Sequence, residues 1–185
     1  INLEVPESMA LKPLGDLRKG FAALMNAYNA QRVGAGTVAL GIAVGAFEEA
    51  VQYSKERKQF GRSIAEFQGL QWMIADMSIA LDAARLMLHR AANVPVGSFP
   101  DLKLAAQAKI IAAETAIKVT NDSLQLFGSS GYSREFAAER HVRDARMFTI
   151  AGGTAQILRT QVASAVLGAK LPQTREGYVK HPIGQ

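Results

Sequence analysis

The sequence predicts an all-α protein, an up-and-down antiparallel helical bundle. Two long stretches carry apolar or small residues at alternating spacings of three and four, which is the seam of a helix in a bundle. One seam runs from Phe67 to Ala91 and the other from Ala106 to Phe127. Short breaks rich in Gly and Ser separate the helical stretches, and short connections favour antiparallel neighbours. Apolar residues make up 49% of the 185-residue chain, which is enough for a packed core.

Three long and two short helices are predicted. They cover, in order, residues 17–58, 66–92, 102–127, 135–148 and 154–167. Asp16 and Asp101 are candidate N-caps of the first and third helices, and Ser63 with Glu66 forms a capping box before the second. Gly128 follows the third helix, and Thr154 opens the last one.

The helical stretch is the middle of three predicted regions. Residues 1–13 are expected to be an extended lead-in, since Pro6 and Pro13 discourage a helix. Polar and apolar residues alternate over 2–5, as in the last strand of a preceding β-domain. The helical bundle domain is assigned to 14–170, and 171–185 is expected to form an irregular C-terminal tail.

Glycines punctuate the first predicted helix, at positions 34, 36, 41 and 45. Each costs about 1 kcal/mol relative to Ala inside a helix. We interpret them as sites of close helix–helix packing. The uncharged run 33–47 has fifteen residues, fewer than the roughly 18 that a membrane span needs. It is therefore predicted to be a buried helix segment, and no membrane partner is expected.

Composition excludes several kinds of site. With no cysteine, the chain has no disulfide scaffold, no thiolate nucleophile and no Cys-bound metal. The three histidines are scattered along the chain, so no metal site is expected. A net charge of +5 is mild, the basic runs are interrupted by acids, and aromatic residues total 7%; nucleic acid is not an expected partner. The Gly-Ser-Ser-Gly sequence 128–131 follows a helix, whereas a serine-hydrolase elbow follows a strand.

Three loops at helix ends have the chemistry to bind a phosphate-bearing flat ligand. They are residues 56–62, 125–132 and 152–157. A helix N-terminus offers free N–H groups to phosphate, and glycine lets the backbone approach a ligand closely. The Arg57 guanidinium matches a diphosphate. Taken one at a time, residues in and just after the first loop have ordinary interpretations. Phe67 would be a core residue, Gln59 and Gln68 would be surface residues, and Arg57 would be half of a salt bridge.

In this order and spacing, the loops resemble those of the C-terminal helical domain of acyl-CoA dehydrogenases, and the resemblance covers about 14–167. The family patterns are E-R-x-x-F-G, Q-x-x-G-G-x-G-Y, R-D-A and Y-E-G-T-x-Q-I. They correspond here to residues 56–61, 125–132, 143–145 and 151–157. The resemblance implies an enzyme that uses FAD, acts on an acyl-CoA thioester and assembles as a homotetramer or homodimer. It also implies an N-terminal helical domain and a middle β-domain, so this piece alone is expected to be inactive.

The resemblance assigns binding roles by position. Cofactor binding falls to Arg57, Gln59, Phe67, Gln68, Gln125, Leu126, Gly128, Ser129, Thr154 and Gln156. Of these, the residues from Arg57 to Gln68 and from Gln125 to Ser129 would contact the diphosphate and adenosine end of the FAD bound by a neighbouring subunit. Tyr28, Asn29 and Arg32 would line the CoA side of the thioester pocket, and Gly153 would touch the substrate.

The sequence departs from the family at the two catalytic positions, Gln31 and Gly152. Family members desaturate the α,β bond with a glutamate base in one of these two places. Here both lack a carboxylate, and an amide is too weakly basic to take the α-proton. Losing a general base typically costs about 10²- to 10⁴-fold in rate. Ala151 replaces the usual tyrosine, so a roomier and less acidic pocket is expected.

Three hypotheses follow. In the first, a carboxylate from elsewhere serves as the base, the enzyme is a desaturase, and electrons pass to an electron-transfer flavoprotein. This one leads, because most of the family are desaturases. In the second, the enzyme resembles the desulfinase branch, which acts on 3-sulfinopropionyl-CoA without net flavin reduction; Gln31 would hydrogen-bond the substrate or water, and Arg32 would supply charge. The third is a non-catalytic helical scaffold, which would have no need of the three loops. The expected location is the bacterial cytoplasm, or the mitochondrial matrix in a eukaryote.

Overall fold

A computed structural model describes residues 20–172, apart from the side chains of residues 21 and 22. The predicted lead-in 1–13, the Asp16 cap and all but the first two residues of the predicted tail lie outside the described residues. The elements are α1 (Gly20–Glu56), β1 (Lys58–Gln59), β2 (Arg62–Ser63), a 3-10 turn (Ile64–Glu66), α2 (Gln68–Ala92), α3 (Leu102–Phe127), α4 (Ser129–Tyr132), α5 (Ala138–Met147) and α6 (Ala155–Leu167). The predicted all-α bundle is confirmed.

Local capping chemistry sets several helix ends where it was predicted. The Asp101 carboxylate accepts the N–H of Leu104 at 3.0 Å and starts α3. The Thr154 hydroxyl accepts the N–H of Ile157 at 3.2 Å and starts α6. α3 ends at Gly128, whose φ of +61° lies in the region that favours glycine.

Other boundaries differ from the prediction. The Ser63–Glu66 capping box is present, but it opens the 3-10 turn, and α2 begins at Gln68. The break before it is a small antiparallel hairpin in which Lys58 pairs with Ser63. Its tip residues Phe60 and Gly61 both have positive φ, as a two-residue hairpin turn requires. The predicted loop after α3 contains the short helix α4, and α5 starts three residues later than expected.

The core surrounds α3, which contacts α1, α2, α5 and α6. The seam predicted on α2 is confirmed, since Met77, Leu81 and Leu88 are buried. The single seam predicted on α3 is incomplete, because Ala108, Ala112 and other residues on further faces are buried as well. Alanine is a small residue that suits any face, so the Ala-rich sequence did not indicate how many neighbours α3 has.

Close packing at the α1 glycines is confirmed at one position. A Cβ at Gly36 would lie 2.8 Å from Leu88 Cδ2 and 3.4 Å from Ala112 Cβ. The same interpretation is wrong, within the part of the chain that the structure describes, for Gly34, Gly41 and Gly45, where a Cβ would meet nothing within 4 Å.

α1 is also long and apolar enough to cross a membrane by length and composition, with a mean hydropathy of 1.3 over its most apolar window. The core helix of a bundle has the same properties. Ala39, Ala43 and Ala50 of α1 are buried in the core shared with α2 and α3, which favours the core-helix interpretation. The absence of a membrane partner stays a prediction.

Candidate functional site

A glycine turn between α5 and α6 is the centre of the candidate site. Gly152 and Gly153 have φ values of +71° and +97°, which L side chains rarely adopt. Thr154 follows at once and caps α6. The conformation of this turn therefore depends on the two glycines and on the groups that hold their carbonyls.

Arg32 of α1 holds the first of these carbonyls. The side chain is 4% exposed, and its Nε donates a hydrogen bond to the Gly152 oxygen at 3.3 Å. Its Nη1 donates to Asn29 Oδ1 at 3.1 Å, and Asn29 is itself 2% exposed. Both residues, predicted to line the CoA side of the pocket, are thus directed into the protein and support the turn. Tyr28 is the one residue of that predicted trio with a large exposed surface, 40%.

Lys109 of α3 holds the second carbonyl. Its side chain is fully buried, and Nζ donates to the Gly153 oxygen at 2.8 Å. Sequence reasoning missed this residue. A signal was available, since Lys109 is the one charged residue in 104–113, an Ala-rich stretch at the start of α3.

Two buried cations therefore lie beneath the turn. Burial lowers the pKa of Arg32, an effect that Tyr28 partly opposes. Burial, and then the charge of Arg32, lower the pKa of Lys109. Within residues 20–172, no Asp or Glu forms an ion pair with either side chain. The resulting positive field favours negative charge developing near the turn.

Gln31 and Gly152, the two predicted catalytic positions, meet at one place. A Cβ built on Gly152 would lie 3.0 Å from Gln31 Oε1 and 3.6 Å from its Nε2. A side chain in either position would thus occupy the same space. In this chain an amide occupies it, and no carboxylate is present at either residue.

The second predicted loop lies at the other end of α1. Tyr53 stacks on Phe127 with ring centroids 4.3 Å apart, and its hydroxyl donates to Ser130 Oγ at 3.4 Å. Gln125, Gly128 and Ser129 are exposed, as cofactor binding requires. The Leu126 side chain differs: it is 5% exposed and packs in the core, so only its backbone is available to a ligand.

The first predicted loop, residues 56–62, lies mostly in the hairpin formed by β1 and β2. Arg57 and Gln59 are exposed, and so is Gln68 just beyond. Phe60 is 92% exposed. Phe67 is half-buried, and the Arg62 guanidinium lies over its ring at 4.1 Å from the centroid.

The predicted cofactor residues form two separate groups. Thr154 and Gln156 lie beside the turn that Arg32 holds, whereas the hairpin and the second loop, residues 125–132, lie near Tyr53. Arg32 and Tyr53 are 21 residues apart in one helix, which places them about 30 Å apart at 1.5 Å per residue. A single chain thus does not bring all the predicted cofactor residues together. The described residues also hold no group of three or more His, Asp or Glu able to bind a metal.

Comparison with known proteins places this geometry in a family. The family model "Acyl-CoA dehydrogenase, C-terminal domain" matches residues 18–167. The chain is 73% identical to the 3-sulfinopropanoyl-CoA desulfinase of Cupriavidus necator over 96% of its own length and 45% of the relative. It is 42% identical to the short-chain-specific acyl-CoA dehydrogenase of Clostridium acetobutylicum, over 83% of this chain and 40% of that one.

The comparison with solved structures gives the same family. Butyryl-CoA dehydrogenase from Megasphaera elsdenii superposes with a TM-score of 0.80 at 38% identity, over 83% of this chain and 40% of that chain. The chain spans less than half the length of the curated relatives it matches. It belongs to the acyl-CoA dehydrogenase family, whose C-terminal helical domain it represents.

Proposed function

We propose that this chain is the C-terminal domain of a 3-sulfinopropanoyl-CoA desulfinase. The observation that carries the proposal is the place shared by Gln31 and Gly152. An amide fills it where α,β-desaturation requires a carboxylate base. The buried cations Arg32 and Lys109 donate to the two carbonyls of the turn, and their positive field favours a substrate that is anionic.

The degree of similarity to the relatives supports the same choice. Four curated 3-sulfinopropanoyl-CoA desulfinases are 64–73% identical to this chain, against 42% for the short-chain-specific dehydrogenase. Sequence patterns put the desaturase first because most of the family are desaturases. The identities favour the desulfinase.

The proposed reaction balances without an external oxidant. The bond between C3 and sulfur breaks, and the carbon keeps the electron pair and gains a proton, which leaves propanoyl-CoA. Sulfur gains the oxygen of a water molecule and leaves as sulfite. The carbon is reduced and the sulfur oxidised within one substrate plus water, so the flavin undergoes no net redox change.

The residues of the turn have defined roles in this scheme. Gln31 donates a hydrogen bond to the substrate or positions the attacking water, which an amide does without titrating. Arg32 and Asn29 fix the turn through the Gly152 carbonyl. The field of the buried cations stabilises the negative charge that develops as the C–S bond breaks.

FAD is the cofactor we propose, because the chain offers groups suited to a dinucleotide. Arg57, Gln59 and Gln125 are exposed polar side chains, and the backbone N–H groups of Thr154 and Gln156 at the start of α6 donate to no described residue. When bound, the flavin supplies an electron-poor ring against which the thioester is oriented. Because the two groups of residues lie about 30 Å apart, we further propose a homotetramer or homodimer in which two subunits share each flavin.

The desaturase stays the second candidate, with an electron-transfer flavoprotein as partner. The retained loops support it as well as the desulfinase, and a relative of Acetobacterium woodii named as a subunit of the caffeyl-CoA reductase–Etf complex is 39% identical. A scaffold without catalysis is disfavoured, since it has no need of exposed Arg57 and Gln59 beside an exposed Phe60.

The test uses the full-length holoenzyme, meaning this chain together with the segments that its relatives carry. Incubated with 3-sulfinopropanoyl-CoA, it is expected to release sulfite and propanoyl-CoA in equal amounts while the flavin stays oxidised. Gln31→Leu should slow this release, whereas the matched control Gln52→Leu, on an exposed face of α1, should not. A folded, FAD-loaded enzyme that releases no sulfite would refute the proposal.

A further inference from the structure

Lys109, which holds the second carbonyl of the glycine turn, lies outside the family motifs at 56–61, 125–132, 143–145 and 151–157. Arg32 approaches the turn from α1 and Lys109 approaches it from α3, and each donates to one of two successive carbonyls. The two helices thereby fix the two peptide planes independently. Lys109 makes this contact from 44 residues away in sequence.

The consequence is a fixed direction for the opposite edge of the turn. The peptide bonds are trans within the described residues, so each N–H points away from the carbonyl of the same peptide unit, which belongs to the preceding residue. The N–H groups of Gly153 and Thr154 therefore point away from the two cations. Neither donates to another described residue. With its carbonyls held, the turn presents these N–H groups in one orientation.

We propose that Lys109 is a positioning residue, which sets the conformation of the Gly152–Gly153 turn through the Gly153 carbonyl. It is not a catalytic residue, because Nζ is fully buried and donates to the backbone. The inference rests on the proposed function only in taking the turn to be part of the reaction site.

The charge of Lys109 allows a positioning role to be distinguished from a packing role. A buried ammonium that has Arg32 nearby and no carboxylate partner within residues 20–172 opposes folding. A methionine of similar length would fill the same space without that opposition. Losing the hydrogen bond to the Gly153 carbonyl acts in the other direction. Replacement of Lys109 by methionine should therefore change global stability little, while the turn loses its support.

The experiment compares Lys109→Met with Lys118→Met in the full-length holoenzyme. Lys118 lies on the same helix, is exposed and pairs with Asp122. Hydrogen exchange is followed at Ala155, whose N–H donates across the turn to the Thr149 carbonyl at 3.0 Å. Exchange there should be at least tenfold faster in Lys109→Met than in the wild type, with melting temperature and FAD content within error of the wild type. Lys118→Met should match the wild type.

Turnover provides a second measurement. Sulfite release by Lys109→Met should fall at least tenfold in kcat/KM at unchanged FAD affinity, and Lys109→Gln, which keeps an N–H donor, should recover part of both losses. Unchanged exchange at Ala155 would overturn the proposal. So would faster exchange spread over all of α3 and α6 with a lower melting temperature, since that is the result of a packing role.

The outcome is separable from that of the proposed function. If the wild type releases no sulfite, the desulfinase proposal fails, and the exchange rate at Ala155 still decides the role of Lys109. If Lys109→Met does not fold, Lys109→Leu, which lacks a donor, is compared with Lys109→Gln, which keeps one: faster exchange at Ala155 in Lys109→Leu supports positioning, and equal exchange in the two variants contradicts it.

Discussion

The two ends of α1 contribute to the candidate site in opposite ways. At the Arg32 end, cations are buried and their donors are directed to the carbonyls of the glycine turn. At the Tyr53 end, the hairpin leaves Arg57 and Gln59 exposed, and Arg57 forms no ion pair among the described residues. The first end depends on internal hydrogen bonds for its shape, whereas the second end carries exposed polar side chains. Substitutions should therefore have different signatures at the two ends.

The largest effect is expected from restoring a base at the Arg32 end. Gln31→Glu places a carboxylate beside the turn and should raise the rate of anaerobic flavin bleaching by a saturated acyl-CoA by about 10²- to 10⁴-fold. Gly152→Glu should gain much less. Its φ of +71° strains any side chain, and its Cβ would lie 3.0 Å from Gln31 Oε1. A Gly152→Glu enzyme that bleaches faster than Gln31→Glu would show that backbone strain and the contact with Gln31 do not limit a side chain at position 152.

A loss of stability is expected at the Tyr53 end where the loop is tightly packed. A Cβ on Gly131 would lie 2.6 Å from Phe127 Cβ and 2.8 Å from the Leu124 carbonyl oxygen, which cannot move freely. Gly131→Ala should lower the free energy of unfolding by about 1–3 kcal/mol, as measured by urea denaturation. Gly69→Ala is the control, since its Cβ meets nothing within 4 Å; equal effects at the two glycines would contradict the packing described.

Local chemistry explains which parts of the fold could be predicted. The caps at Asp101 and Thr154 and the stop at Gly128 depend on neighbours within four residues, so the sequence alone locates them. The number of neighbours around α3 depends on the packing of five other helices, and an Ala-rich helix carries little information about it. The hairpin has strands of two residues, too short for an alternating pattern to predict.

The candidate site also contains residues that the sequence could identify and residues that it could not. The exposed residues Arg57, Gln59 and Gln125 follow family motifs and could be assigned by position. The inward orientation of Arg32 could not, because its acceptor at Gly152 lies 120 residues away. Lys109 belongs to no motif quoted in the sequence analysis, and a single lysine in a helix is ordinarily a surface residue.

A smaller effect is expected from the exposed hairpin. Arg57→Gln removes a charged donor, and hydrogen bonds to charged groups contribute about 1.5–3 kcal/mol, so FAD affinity should fall about tenfold or more. The melting temperature of the apo protein should not change, because Arg57 is exposed. Arg85→Gln on α2 is the matched control, since Arg85 pairs with Asp82 away from the loops. If Arg57→Gln lowered the stability of the apo protein and left FAD affinity unchanged, Arg57 would have an internal structural role, which would contradict the difference described between the two ends of α1.

The smallest effect is a pH dependence from Lys109. Its pKa in the folded protein lies below the usual 10.5, chiefly because of burial. Between the two values the unfolded chain binds more protons than the folded one, so the free energy of unfolding rises with pH. As pH increases toward 10.5, the wild type should gain stability relative to Lys109→Met, measured by urea denaturation at a series of pH values. A difference that shrinks over that range would mean that the folded protein stabilises the charged ammonium.

The central claim is that the place shared by Gln31 and Gly152 holds no base, so the enzyme does not desaturate. Its most direct test mixes the wild-type full-length holoenzyme anaerobically with butanoyl-CoA and records the visible flavin band. The account predicts that the oxidised band persists, although the thioester binds. Rapid and complete bleaching of the band would contradict it and would identify the protein as a dehydrogenase with a base from outside residues 20–172.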